Sequence, residues 1–214
     1  MARSFFQAGI ELEKGFSRKF QAQVNKEIQK RIKLSINLIT ESIETALQTL
    51  VKLRLQEAPE VQSLAGGVLR AQFGLIDGAS RISNIIDKWA DSIEVTYVQR
   101  FGAFGGIAIR FSDEDYDIAL SMNEAEFVTE NGSVLPWLQW LLIEGQNPIV
   151  NNYYFRSSSK GRTGGGIMVE RQSAAWSVPK QFSGTFNDNF ATRALGNIQD
   201  EIDVIVRREI TKVI

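Results

Sequence analysis

The run Ser92-Ile-Glu-Val-Thr-Tyr-Val-Gln-Arg100 decides the class of fold. Ile93, Val95 and Tyr97 alternate with Glu94 and Thr96, and a period of two fits a strand with one buried face. Gly106-Ile-Ala-Ile-Arg-Phe111 repeats the signal after glycines at 102 and 105, which predicts an antiparallel pair joined across a turn. Residues 116–122 read as a third strand, and residues 149–155 and 166–169 as two more.

On either side of this region the apolar period is helical. Phe16, Phe20, Val24, Ile28, Ile32, Ile36, Ile39, Ile43, Leu47, Leu50 and Leu53 recur at steps of three and four, and no Gly or Pro interrupts residues 17–57 before Pro59. The spacing predicts one helix over 17–57, about 60 Å long at ~1.5 Å per residue. A compact body of 214 residues has a radius of gyration near ~17 Å and is roughly 44 Å across. The helix is therefore expected to protrude from its own body and to pack its ends on another chain.

Downstream, residues 60–73 read as a short helix weakened by Gly66 and Gly67. A second helix is expected through Ile82, Ile85, Ile86 and Trp89, with Asp77 or Ser80 as its cap. Residues 134–144 read as a Trp-rich helix ending at Gly145. At the end, Thr185 and Asp188 give a capping signal ahead of Phe190, Ala194, Ile198, Ile202, Ile205 and Ile210. The order predicts an α+β fold: a long N-terminal helix, a small antiparallel β-sheet and a C-terminal helix packed on the sheet. No repeat or linker is visible, so residues 1–214 read as a single domain.

Composition closes several routes to chemistry. The chain has no Cys and no His, which excludes disulfides, thiolate nucleophiles, imidazole ligands and a Ser-His-Asp triad. Lys+Arg 24 against Asp+Glu 25 argues against a molecule that binds polyanions over its whole surface. The first ten residues lack the apolar core of a signal peptide, and no apolar run approaches the ~20 residues that span a bilayer, so a soluble protein with no membrane partner is expected.

Three features compete for a functional role. Lys14, Arg18, Lys19, Lys26, Lys30, Arg31 and Lys33 face a single acid, Glu27, in the first half of the long helix. That is a solvated face or a surface for a polyanion or an acidic subunit. The loop Arg156-Ser-Ser-Ser-Lys-Gly-Arg-Thr-Gly-Gly-Gly166 carries three cations but no Walker pattern. It is expected to be flexible over 156–166 and to order against a neighbouring subunit. Together these two features support an alternative reading as a DNA-binding protein. The acids Asp113, Asp115 and Asp117 would suit a metal-dependent nuclease, but the run lacks the later Gly and Glu of a calcium loop and reads better as a solvated turn. Trp137, Trp140, Phe182 and Phe190 are expected to be buried scaffold. No cofactor, metal or small-molecule substrate is implied, and no catalytic constellation is visible.

Three segments in succession resemble the tail-completion and head–tail joining (neck) proteins of tailed bacteriophages. After the long charged helix come Ala58-Pro-Glu-Val-Gln-Ser-Leu-Ala-Gly-Gly-Val-Leu-Arg70 and Gly74-Leu-Ile-Asp77. Trp137-Leu-Gln-Trp-Leu-Leu-Ile-Glu-Gly145 is similar to the family's apolar helix and its closing turn. Val178-Pro-Lys-Gln-Phe-Ser-Gly-Thr185, running into Asp188-Asn-Phe-Ala-Thr-Arg-Ala-Leu195, resembles its entry to the C-terminal helix, with Arg193-Ala-Leu195 where Pro-Ala-Leu is common. The resemblance implies a non-enzymatic virion protein, assembled in the host cytoplasm into a homo-oligomeric ring, commonly six-fold, in the neck. Its partners would be other neck, connector and tail-tube proteins, with non-specific contact to DNA in the channel. Arg18, Lys26, Lys30, Arg31, Arg156, Lys160 and Arg162 are the candidates for interface or lumen contacts.

Overall fold

The computed structural model describes residues 5–6, 18–98, 106–111, 116–129 and 132–212. In chain order the elements begin with β1 (Phe5–Phe6), α1 (Arg18–Gln56), α2 (Pro59–Gly66), α3 (Val68–Phe73) and α4 (Gly78–Asp91). Then follow β2 (Ile93–Val98), β3 (Gly106–Phe111), α5 (Asp117–Leu120), a 3-10 turn (Asn123–Ala125), β4 (Phe127–Val128) and β5 (Val134–Leu135). Last come α6 (Trp137–Gln139) with a π-helical turn (Trp140–Glu144), β6 (Val150–Arg156), β7 (Ile167–Trp176), α7 (Phe190–Leu195) and α8 (Gln199–Thr211). The fold is mixed α+β, as the alternation of periods predicts.

The chain packs as two compact units. The first holds residues up to 50, residues 91–112 and residues from 198 onward; the second holds 51–90 and 113–197. In the first, β2 and β3 pair antiparallel with Val95 opposite Ile109, and β1 adds to the other edge of β3, giving the order β1-β3-β2. Ile93 and Val95 are buried while Glu94 and Thr96 are exposed, so the alternation holds over those four residues, but Tyr97, read as part of the same buried face, is exposed. Ile39, Ile43 and Leu47 form the inward face of α1. Glu44 ties that helix to the sheet, its Oε2 accepting the Val95 N–H at 3.1 Å. Val206 of α8 is fully buried, and the Glu209 carboxylate accepts from Ser42 Oγ of α1 at 2.7 Å.

The second unit is built on aromatic packing. Phe73 of α3 stands edge-on to Trp176 at 5.8 Å between centroids and lies 6.1 Å from Trp137. Trp89 of α4 meets Tyr116 and Phe190, each at 5.9 Å. Edge-on and tilted pairs set the ring quadrupoles favourably, adding about 1 kcal/mol each beyond burial. β6 and β7 form a two-stranded ribbon with a bulge at Asn152, where Asn152 Oδ1 accepts the Ser173 N–H and both residues have positive φ.

Several expectations are corrected. Residues 117–120 form a helical turn rather than a third strand, because Tyr116 turns into the left-handed region and its ring is buried against Trp89. The strands make three separate sheets, not one. The 60–73 helix is two helices, broken at Gly67, where a Cβ would lie 2.9 Å from the Ser63 backbone. The C-terminal helix is likewise two, α7 and α8, and the cap of α7 is Asn189 rather than Thr185 or Asp188. Leu53 is 51% exposed, and Val51 and Leu55 are buried in its place.

Candidate functional site

The three segments that carry the resemblance meet inside the second unit. Glu60 sits in the first turn of α2, where the unpaired N–H groups of a helix start favour a carboxylate, and it is only 3% exposed. Arg193 of α7 donates to it through Nη2 at 2.7 Å and to Asp188 through Nη1 at 3.0 Å. Arg193 thus neutralises a buried acid that stands 133 residues earlier in the chain.

The second and third segments join through glycines. The Gly145 N–H donates to Gly184 O at 3.2 Å, and a Cβ on Gly145 would lie 2.8 Å from Gly184 N. A Cβ on Gly184 would lie 2.6 Å from Leu141 O. Two backbones this close leave no room for side chains.

Asn189 completes the junction, with none of its surface exposed. Its Oδ1 accepts the N–H groups of Ala191 and Thr192, and Thr192 Oγ1 accepts the Asn189 N–H at 2.8 Å, a reciprocal cap. Its Nδ2 donates to Tyr116 Oη at 2.9 Å and to Thr185 O at 3.0 Å, and lies 3.3 Å from Leu142 O. Sequence reasoning missed this residue, although Asn at N-cap with Thr at N3 is the signal that marks it.

Among the expected scaffold residues, Trp137, Phe182 and Phe190 are buried, and Trp137 donates from Nε1 to Glu124 O at 2.8 Å. Trp140 is only half-buried, with its ring 6.3 Å from Phe73.

The cations fall into two groups, one in each unit. Arg18 opens α1, and its side chain lies outside the described residues. Lys26, Lys30 and Arg31 are exposed along α1, with Arg31 Nε 3.7 Å from Glu27. Arg156 ends β6 and Lys160 tips the loop, both exposed. Arg162 is engaged within its own unit: its guanidinium lies 4.4 Å from the centre of the Phe127 ring and packs over Gly74.

The loop itself is shaped by close approach. Gly161 has Gly166 O where a Cβ would be, Gly166 has the Phe155 ring there, and a Cβ on Gly165 would lie 2.7 Å from Ala71 Cβ. Gly164 N–H to Gly161 O at 2.8 Å closes it. The glycines that read as flexibility meet a demand for tight packing.

Of the acidic run, Asp113 and Asp115 lie outside the described residues and Asp117 is exposed. Among the described residues no three Asp, Glu, His or Cys side chains gather as metal ligands, and no helix is long and apolar enough to cross a membrane.

Two groups are electrostatically tuned. Glu209 accepts from Lys212 Nζ at 2.6 Å, Ser42 Oγ and Arg208 Nε, and these donors, Lys212 foremost, hold its pKa at about 2. Arg81 bonds Asp77 at 2.8 Å and holds its carboxyl below the usual carboxylate range. The remaining feature is apolar: Leu34 is 78% exposed and Leu38 68% on α1, and Val204 63% on α8. Leu34 and Leu38 fall off the core stripe, which runs through Ile36, Ile39 and Ile43.

Comparison with protein-family models, with curated proteins and with solved structures finds no match.

Proposed function

We infer that the chain is a structural protein of a tailed-phage virion, forming an oligomeric ring in the neck at the head–tail junction. One observation carries this reading. The three segments that resemble the neck family, far apart in the chain, are held against one another by Glu60–Arg193, Gly145–Gly184 and Asn189–Leu142. The apolar residues exposed on α1 and α8 also suit a protein that buries them on assembly.

The role requires binding above, below and sideways, and no reacting group. A near-neutral chain with a local basic stripe would let DNA pass without holding it.

The test is the mass and shape of the purified protein, by light scattering and negative-stain imaging at physiological salt. Closed rings of about six copies are expected. A monomer at all concentrations that binds duplex DNA, with affinity falling by orders of magnitude between about 50 and 200 mM salt, would overturn the reading in favour of a DNA-binding protein.

A further inference from the structure

We propose that the contact closing the ring joins two different faces of successive copies: the outward face of α1 in one and the outward face of α8 in the next. The proposal rests on the ring reading and names its interface. On α1, Lys26, Lys30 and Arg31 come first, net positive even with Glu27 3.7 Å from Arg31, then exposed Leu34 and Leu38, then exposed Glu41. On α8 the order of charge is reversed: Asp200 and Glu201, then exposed Val204, then Arg207 and Arg208, a turn that stays net positive although Arg208 also bonds the buried Glu209.

Laid parallel, the basic turn of α1 meets the acidic turn of α8, leucines meet valine, and Glu41 meets the arginines. From Lys30 to Glu41 the first face runs about 16 Å, and from Asp200 to Arg208 the second runs about 12 Å, so both ends can pair at once. Laid antiparallel, like charges oppose at both ends, which fixes the direction.

Both faces point away from their own body, since Ile39 and Ile43 on α1 and Val206 on α8 take the inward side. Pairing α1 with α8 covers every strongly exposed apolar residue described on the two helices within the first unit. Because the faces differ, each copy offers one and receives the other, the head-to-tail contact that closes into rings.

The test uses two full-length variants, Lys30→Glu/Arg31→Glu and Asp200→Lys/Glu201→Lys, followed by light scattering alone and mixed. Each alone places like charges at its contact and should self-associate at least about tenfold more weakly than wild type. An equimolar mixture should regain the wild-type mass, because each variant's altered helix then faces the other's. Circular dichroism of each variant confirms its fold, and the mixture itself reports on folding, since an unfolded chain cannot restore assembly.

Variants that assemble like wild type overturn the interface while leaving the ring standing, as does a mixture that stays dissociated. A mass that stops at two copies and ignores Asp200→Lys/Glu201→Lys means that α1 pairs with itself, and also overturns it. A wild type that stays monomeric at every concentration overturns the interface, and the ring reading falls with it only where that monomer also binds duplex DNA with the steep salt dependence given above.

Discussion

Asn189 has every polar atom of its side chain engaged and none exposed. Removing it leaves the N–H groups of Ala191 and Thr192 without their acceptor and the carbonyls of Thr185 and Leu142 without the Nδ2 donor. Asn189→Ala should therefore cost about 3 kcal/mol in denaturant unfolding, the sum of a lost cap and a buried unsatisfied group. Asn189→Asp separates the two. Asp caps a helix as well as Asn, but it sets a carboxylate oxygen against Thr185 O and Leu142 O where Nδ2 donates now. It should be at least as damaging as Ala at pH 7, and a neutral effect would mean that the cap alone matters.

Glu209 is the residue through which acid should act. Held at about 2 against an ordinary 4.5, it contributes stability fully above pH 4.5 and loses that contribution as pH falls toward 2. The stability gap between wild type and Glu209→Gln should be constant above pH 5 and close between 4.5 and 2, measured by unfolding at each pH.

At the scale of elements, the third segment is clamped to the second by backbone rather than by side chains. Gly184→Ala places its Cβ against Leu141 O, which cannot rotate away, and should lower stability by about 2 kcal/mol or more in thermal or denaturant unfolding. The clamp to the first segment is ionic. Arg193 is 40% exposed and its partner nearly buried, so Arg193→Ala should cost about 1–2 kcal/mol, and Glu60→Gln added to it should recover part of that. The long helix, the β2–β3 pair and the stop at Gly145 were legible in the sequence because each rests on a strong period or a breaker. The 117–120 turn was not. Its sequence is apolar enough for a strand, and only the burial of Tyr116 against Trp89 and Phe186 turns it. The Gly-rich loop is ambiguous for the opposite reason, since glycine permits both mobility and close approach, and only the neighbours show the close approach. Of the candidate site, the basic stripe was visible, whereas Leu34 and Leu38 were not, because a core-facing period hides what lies on the other side.

At the scale of the whole molecule, the two units escape a sequence reading because three of the four crossings between them fall within α1, at the last turn of α4 and beside α8, where no linker marks them. What the sequence does govern at this scale is the response of charge to pH. With no His and no Cys, the chain has no side chain that ordinarily titrates between about pH 5.5 and 7.5. The mass of the assembled protein should therefore be the same at pH 5.5, 6.5 and 7.5. It should fall as salt rises from roughly 50 mM to 1 M, because exposed pairs are screened as the Debye length shrinks from about 14 Å to 3 Å. Light scattering across that grid separates the two variables. An assembly indifferent to salt would rest on apolar burial alone and would remove the reason for the reversed charge order on the two helices. One that came apart between pH 7.5 and 5.5 would count against this contact, because the chain has no His or Cys side chain to titrate there.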